Sequence, residues 1–321
     1  VAEKPTAYGG QAVVEGVMMG GRRAQVTAIR RKNGEIELYE LARRTPAPLG
    51  WLKKIPLIRG IIALIESSAS GSKHLQFATD RYDLEPGEEV EEASASKLQM
   101  VLGVTAVGVL SLVVGKSLFT ALPAFLASIL FDGTVTNLIL QNLIEGGIKT
   151  LLLLGYLFAI AQTPIIKRLF QYHGAEHKVI NAYESGVELT IDRVQKQSTL
   201  HYRCGSSFII LTIIVGVVLY SFFSYDNVWD RIAIRLMLIP AVVGLSYELL
   251  RITNALRDIP VLTYLGYPGL WLQKLTTREP DDEQVEVAIA AFNRMRELED
   301  QPAKTLNRSS PAHDRISSVG S

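Results

Sequence analysis

The residues of this chain best suited to chemistry lie in one stretch, Tyr172-His173-Gly174-Ala175-Glu176-His177-Lys178. His173 and His177 are four positions apart, so on a helix they share one face, a turn apart. Two imidazoles so placed grip one divalent ion with little rearrangement, and imidazole suits zinc, copper, iron or nickel. Glu176 stands just before the second histidine. The resulting H-x-x-E-H pattern inverts H-E-x-x-H, in which two histidines hold zinc and the carboxylate deprotonates a bound water. A third metal ligand has to come from elsewhere in the chain.

The segments that must position this stretch are apolar. One runs from about Ile148 to Ile166, with Pro164 expected to kink its end. The spacing predicts that the histidine-bearing helix continues this segment past the kink. The far end of the same connection carries His201-Tyr202-Arg203-Cys204-Gly205, just before a second apolar run from Ser207 to Phe223. Glu248 ends a third run, Ile232 to Leu250, with Arg251 one turn on. The expected third ligand is therefore one of Glu248, Cys204 or His201, with Glu176 as the base. Two other arrangements stay open. His173, His177, His201 and Cys204 close a structural shell, or the histidines hydrogen-bond in a polar interface with no metal. Glu248 has its own alternative as an i,i+3 partner of Arg251.

Composition sets the wider frame. Of 321 residues, 48% are hydrophobic, and they concentrate between about 97 and 250, with polar ends on either side. The expected fold is an α-helical polytopic membrane bundle of about four transmembrane helices, with a small β-containing N-terminal module and a C-terminal amphipathic helix. Leu98 to Gly115 is the expected first span; Leu118 to Phe131 is shorter and holds Pro123. The 167–203 connection carries Lys167, Arg168, Lys178, Arg193, Lys196 and Arg203. By the positive-inside rule that connection and both termini are expected in the cytoplasm. The opening Val-Ala-Glu-Lys-Pro holds no apolar run, so no cleaved signal peptide is expected. A net charge of +1 gives no case for nucleic acid. The single cysteine, Cys204, excludes an intrachain disulfide framework.

The flanks divide as follows. Residues 1–50 form the β-rich module. In it, Gly9, Gly10, Gly16, Gly20 and Gly21 surround Glu15 in what reads as a bent edge strand, and Asn33-Gly34 favours a type I′ hairpin. Residues 51–79 read as an amphipathic helix, either at the membrane surface or in the core of that module. Residues 80–96 are an acidic linker and 97–250 the bundle, with the metal-site connection at 167–206. Residues 251–300 hold an interfacial segment and a helix capped at Asp281-Asp282. Its apolar stripe of Val285, Ala288, Ile289, Phe292 and Met295 invites a protein partner. Residues 301–321 read as disordered.

The chain resembles the YqhQ-like family of bacterial membrane proteins. The residues that carry the likeness are Gly9 to Met19, Tyr172 to Lys178, His201 to Gly205, Ser246 to Arg251 and Thr277 to Asp282. They spread over most of the chain, and the resemblance implies a membrane-embedded metal-dependent enzyme. Three functions follow as expectations. The first is a hydrolase using a divalent metal, zinc above all, at the cytoplasmic face of a bacterial membrane. The second is a non-catalytic scaffold whose metal is structural and whose flanks bind a protein. The third is a transporter, prompted by Glu145, Lys149, Arg235 and Glu248.

Overall fold

The computed structural model describes residues 8–43, 51–82, 114–115, 117–131, 133–257, 259–301 and 315–319. Most of the expected first span, the acidic linker beyond Tyr82, and the tail apart from 315–319 lie outside the described residues. What is described is mostly helical, with one small antiparallel sheet.

The sheet is a meander. Strands β1 (Gly9–Val13), β2 (Gly16–Gly20), β3 (Ala24–Arg30), β4 (Ile36–Ala42) and β5 (Arg315–Val319) lie in that order, each antiparallel to the next. The glycine-rich stretch is thus a hairpin, of which only β1 lies at an edge. Its two-residue turn holds Glu15 at φ 48°, and the strained backbone is anchored through the Glu15 carboxylate, which accepts from Arg168 and from the Tyr172 hydroxyl. The β3–β4 connection departs from the expected type I′ turn. Gly34 has φ 89° but Asn33 does not join it at positive φ, and type I′ needs both. The chain instead closes a longer loop through Gly34 N–H to Arg31 O and Arg31 N–H to Glu35 O. Strand β5 pairs along β4 from Ile36↔Val319 to Glu40↔Arg315, where the sequence reads as disordered.

Alternation along the strands makes two apolar faces. Val17, Met19, Ala24, Val26, Ala28 and Leu38 face one core. Val13, Ile29 and Tyr39 face the other, against Phe77 and Ala78 of helix α1 (Ile58–Tyr82). The lower half of α1 is therefore a core helix, tied down by His74 Nδ1 and Thr27 Oγ1 at 2.7 Å. Its upper half leaves the sheet, where Leu64 and Ile65 are exposed. Gly60 there packs so closely on Tyr247 that a Cβ would come within 2.6 Å of it.

Helices α2 (Leu122–Phe131) and α3 (Leu138–Ile160) follow, then α4 (Pro164–Glu184), the short α5 (Ile191–Gln195), α6 (Ser206–Tyr220), α7 (Val228–Met237), α8 (Ile239–Ala255), α9 (Tyr267–Thr276) and α10 (Asp282–Asp300). Among the described residues α3 alone is long and apolar enough to cross a membrane unbroken. The expected span from Ile232 to Leu250 is broken: α7 and α8 meet at 52°, with Pro240 in the first turn of α8. Helix α6 is apolar but has only 15 residues. A bundle of four uninterrupted spans is thus not what the described residues form. Helix α10 starts on a capping box between Asp281 and Gln284. Of its stripe, Val285, Ala288, Phe292 and Met295 are fully buried against the sheet and α4, and Ile289 is partly buried against the same core, so most of that face is covered by the chain itself.

Candidate metal centre

Helix α4 is a new helix rather than the end of α3. The chain breaks at residues 161–163 and restarts with Pro164 in the first turn, where a missing N–H costs nothing. One face of α4, through Tyr172, Ala175, Val179 and Ala182, joins the core of the sheet. The His173, Glu176 and His177 side chains are turned to a cavity of about 320 Å³ between α4, strand β1 and the loop before α6.

The His173 and His177 rings lie 4.4 Å apart between centroids. His173 Nε2 is 3.2 Å from Cys204 Sγ, and one ligand atom from each of His173, His177 and Cys204 lies within 4.8 Å of the others. Both imidazoles have their other nitrogen engaged by backbone. His173 Nδ1 meets Thr276 O at 2.8 Å and His177 Nδ1 meets Thr199 O at 2.5 Å. A carbonyl only accepts, so each Nδ1 carries the proton and each Nε2 keeps a free lone pair. That is the outer-shell pattern of metal-binding histidines. Cys204 lies just before the N-terminus of α6, and the Ser206 N–H and hydroxyl approach its sulfur at 3.4 and 3.0 Å.

Glu176 is buried beside them. Burial pushes its carboxyl up to about 7, against the opposing electrostatic pull of the His173 ring and a hydrogen bond from the Gly10 N–H. His201 lines the same cavity, but its ring is 5.7 Å from that of His177 and it is not one of the three clustered donors. Its Nε2 is 3.6 Å from Glu184. Its backbone is clamped by Gln273, which accepts from His201 N–H and donates to His201 O. Burial lowers the His201 pKa, with Glu184 opposing. Glu248 goes elsewhere: both its oxygens are taken by Arg59 of α1, with Arg251 at 3.8 Å. The i,i+3 contact with Arg251 is thus present, as the weaker part of a longer-range pair.

Several positioning residues escape a reading by motif. The buried Lys178 donates to Gln195 O and Gln197 O and pairs with Glu279 at 2.9 Å. Asn181 donates to Ser198 O and Leu200 O. Together they hold the loop whose Thr199 carbonyl orients His177. The one available signal is place in sequence, since Lys178 adjoins the second histidine and Asn181 lies one turn further on.

No solved structure matches this chain. It is 51% identical over 319 residues to the uncharacterized protein YqhQ of Bacillus subtilis (strain 168), covering 97% of this chain and 98% of that one. The family model described as "Protein of unknown function (DUF1385)" matches residues 55–298, well over half of the chain, which therefore belongs to the DUF1385 family.

Proposed function

We propose that the chain is a membrane-associated, metal-dependent hydrolase in which His173, His177 and Cys204 hold a zinc-type ion and Glu176 is the general base. The observation that carries this reading is the orientation of the two histidines. Each gives its Nδ1–H to a backbone carbonyl and leaves Nε2 for the cavity, beside the Cys204 sulfur. Three protein donors around an accessible cavity match the open catalytic pattern, not the closed four-ligand one. Bound there, the ion would supply Lewis acidity toward a carbonyl or phosphoryl oxygen and make water acidic near neutral pH. Glu176, whose side chain lines the same cavity, is placed to take the proton of the attacking water and return it to the leaving group.

The cavity lies where α4 follows the apolar α3 and where the apolar α6 begins. Its connection carries Lys167, Arg168, Lys178, Arg193, Lys196 and Arg203, so the proposed site opens at the cytoplasmic face. A second reading has one observation in its favour. His201 Nε2 is buried and has only a long 3.6 Å approach to Glu184 Oε2, and its recruitment would close the shell around a structural ion.

Cobalt substitution of the purified full-length protein tests both readings. One equivalent of cobalt with a sulfur charge-transfer band is expected, lost in Cys204→Ser and His173→Ala. Glu176→Gln keeps the metal. Acetohydroxamate perturbs the visible spectrum if a coordination position is open. A spectrum indifferent to acetohydroxamate and sensitive to His201→Ala establishes the closed shell, and metal content unchanged in His173→Ala overturns the assignment altogether.

A further inference from the structure

Strand β1 ends the sheet, and among the described residues no strand pairs with its outer side. Its ladder with β2 starts from a two-residue turn, with Val13 opposite Gly16 and Gln11 opposite Met18. In an antiparallel ladder alternate residues turn their N–H and C=O outward. Tyr8, Gly10 and Ala12 are the outward set, and the side chains that meet them agree. The Gly10 N–H is held by Glu176, whose Cδ lies 2.9 Å from where a Gly10 Cβ would stand. The Tyr8 carbonyl accepts from Arg203 at 3.3 Å. The unpaired edge of the sheet therefore lines the cavity that holds His173, His177 and Cys204. Gly9 beside it leaves open space, with nothing within 4 Å of a Cβ position. Leu169, Phe170 and Ile180 give the same cavity apolar walls.

We propose that this edge is the substrate-binding strand of the site, and that the substrate is an extended polypeptide whose backbone adds to β1. Such a segment uses main-chain hydrogen bonds for affinity and its alternate side chains for selectivity. Its carbonyl oxygen replaces Glu176 on the Gly10 N–H, which frees the carboxylate to act on water. Its N–H replaces Arg203 on the Tyr8 carbonyl. A cavity of about 320 Å³ is at the small end of ligand pockets, which span about 300–1,000 Å³, so it takes a short stretch of chain rather than a folded protein. This assignment rests on the metal-site reading above.

The test uses the cobalt-loaded full-length protein and two probes, acetohydroxamate and an acetylated Ala-Leu-Phe hydroxamate. Both present the same metal-binding group, and only the second offers a backbone to β1. The peptide probe is expected to bind at least tenfold more tightly. Methylating its amide nitrogens is expected to remove that gain. Ala12→Pro, which deletes an outward N–H and spares the β2 ladder, is expected to do the same with metal content and acetohydroxamate binding unchanged. Equal affinity of the two probes, or a gain that survives N-methylation, overturns the edge-strand assignment and leaves the metal site standing. Failure of acetohydroxamate to bind overturns the open site, and the peptide assignment with it.

Discussion

Gly174 stands where a Cβ would lie 2.0 Å from the carbonyl oxygen of Arg278. The contact is backbone to backbone, and Arg278 N–H also donates to Phe170 O at 2.9 Å. Two residues upstream, Thr276 O is the acceptor that orients His173. Any side chain at 174 therefore pushes the 276–278 segment off α4 and releases the ring. Gly174→Ala is expected to destabilise the protein by about 1–3 kcal/mol, as overpacking does, and to weaken the proposed metal binding about 10- to 100-fold, as loss of an outer-shell partner does. Gly147→Ala, on the helix α3 surface with nothing within 4 Å of its Cβ position, is the control and should leave zinc binding untouched. Zinc titration of the two variants decides; wild-type affinity in Gly174→Ala would refute the link.

That contact also marks the limit of what a sequence discloses. His173 and His177 are readable because a spacing of four has one meaning on a helix. Cys204 is readable as a donor beside the start of an apolar run. His201 and Glu248 have equally good donor chemistry, and what separates them from the cluster is pairing over distance. Glu248 is taken by Arg59, 189 residues away in the chain, and His201 Nε2 lies 3.6 Å from Glu184 at the end of α4. Hydropathy located α3 and α6 but ran through the α7–α8 break, because an average over apolar residues does not register a 52° bend. The α10 stripe was legible as apolar, yet a stripe does not say whether its cover comes from the same chain. Strand β5 is short and polar, and only the exposed edge of β4 selects it.

Within the apolar helices, Glu145 of α3 binds two buried arginines of α7. Arg231 Nε reaches it at 2.9 Å and Arg235 Nη2 at 2.6 Å, with Arg235 also on Asn142 Oδ1 at 2.6 Å. Tyr225 and Tyr220 stack on the guanidinium groups at 4.6 and 4.7 Å. Removing the one carboxylate leaves two cations buried, so Glu145→Ala is expected to cost about 3–5 kcal/mol. Replacing Glu145, Arg231 and Arg235 together by Met should recover most of that loss, since an apolar substitute for a whole buried ionic group is often neutral. Thermal unfolding in detergent reads both, with zinc content expected to stay constant. A Glu145→Ala protein as stable as wild type would show that the network does not hold α7 to α3.

Glu184 closes α4 and is met by side chains from two segments, the loop before α6 and the turn at the end of α8. Arg203 and Arg257, the latter at 3.3 Å, pair with its carboxylate, and His201 stands at 3.6 Å. Burial alone raises this carboxyl, but His201 and Arg203 overcome it and hold the group at about 2 instead of 4.5. A depressed folded-state pKa stabilises the native protein fully above 4.5, and the gain fades as pH falls toward 2. Glu184→Gln is therefore expected to lose about 1–3 kcal/mol near neutral pH. The gap from wild type should narrow steadily below 4.5, where wild type surrenders the same contribution by protonation. Unfolding midpoints of the two proteins across that range measure it. A gap that stays constant with pH would mean that Glu184 acts through packing and hydrogen bonds alone, without its charge.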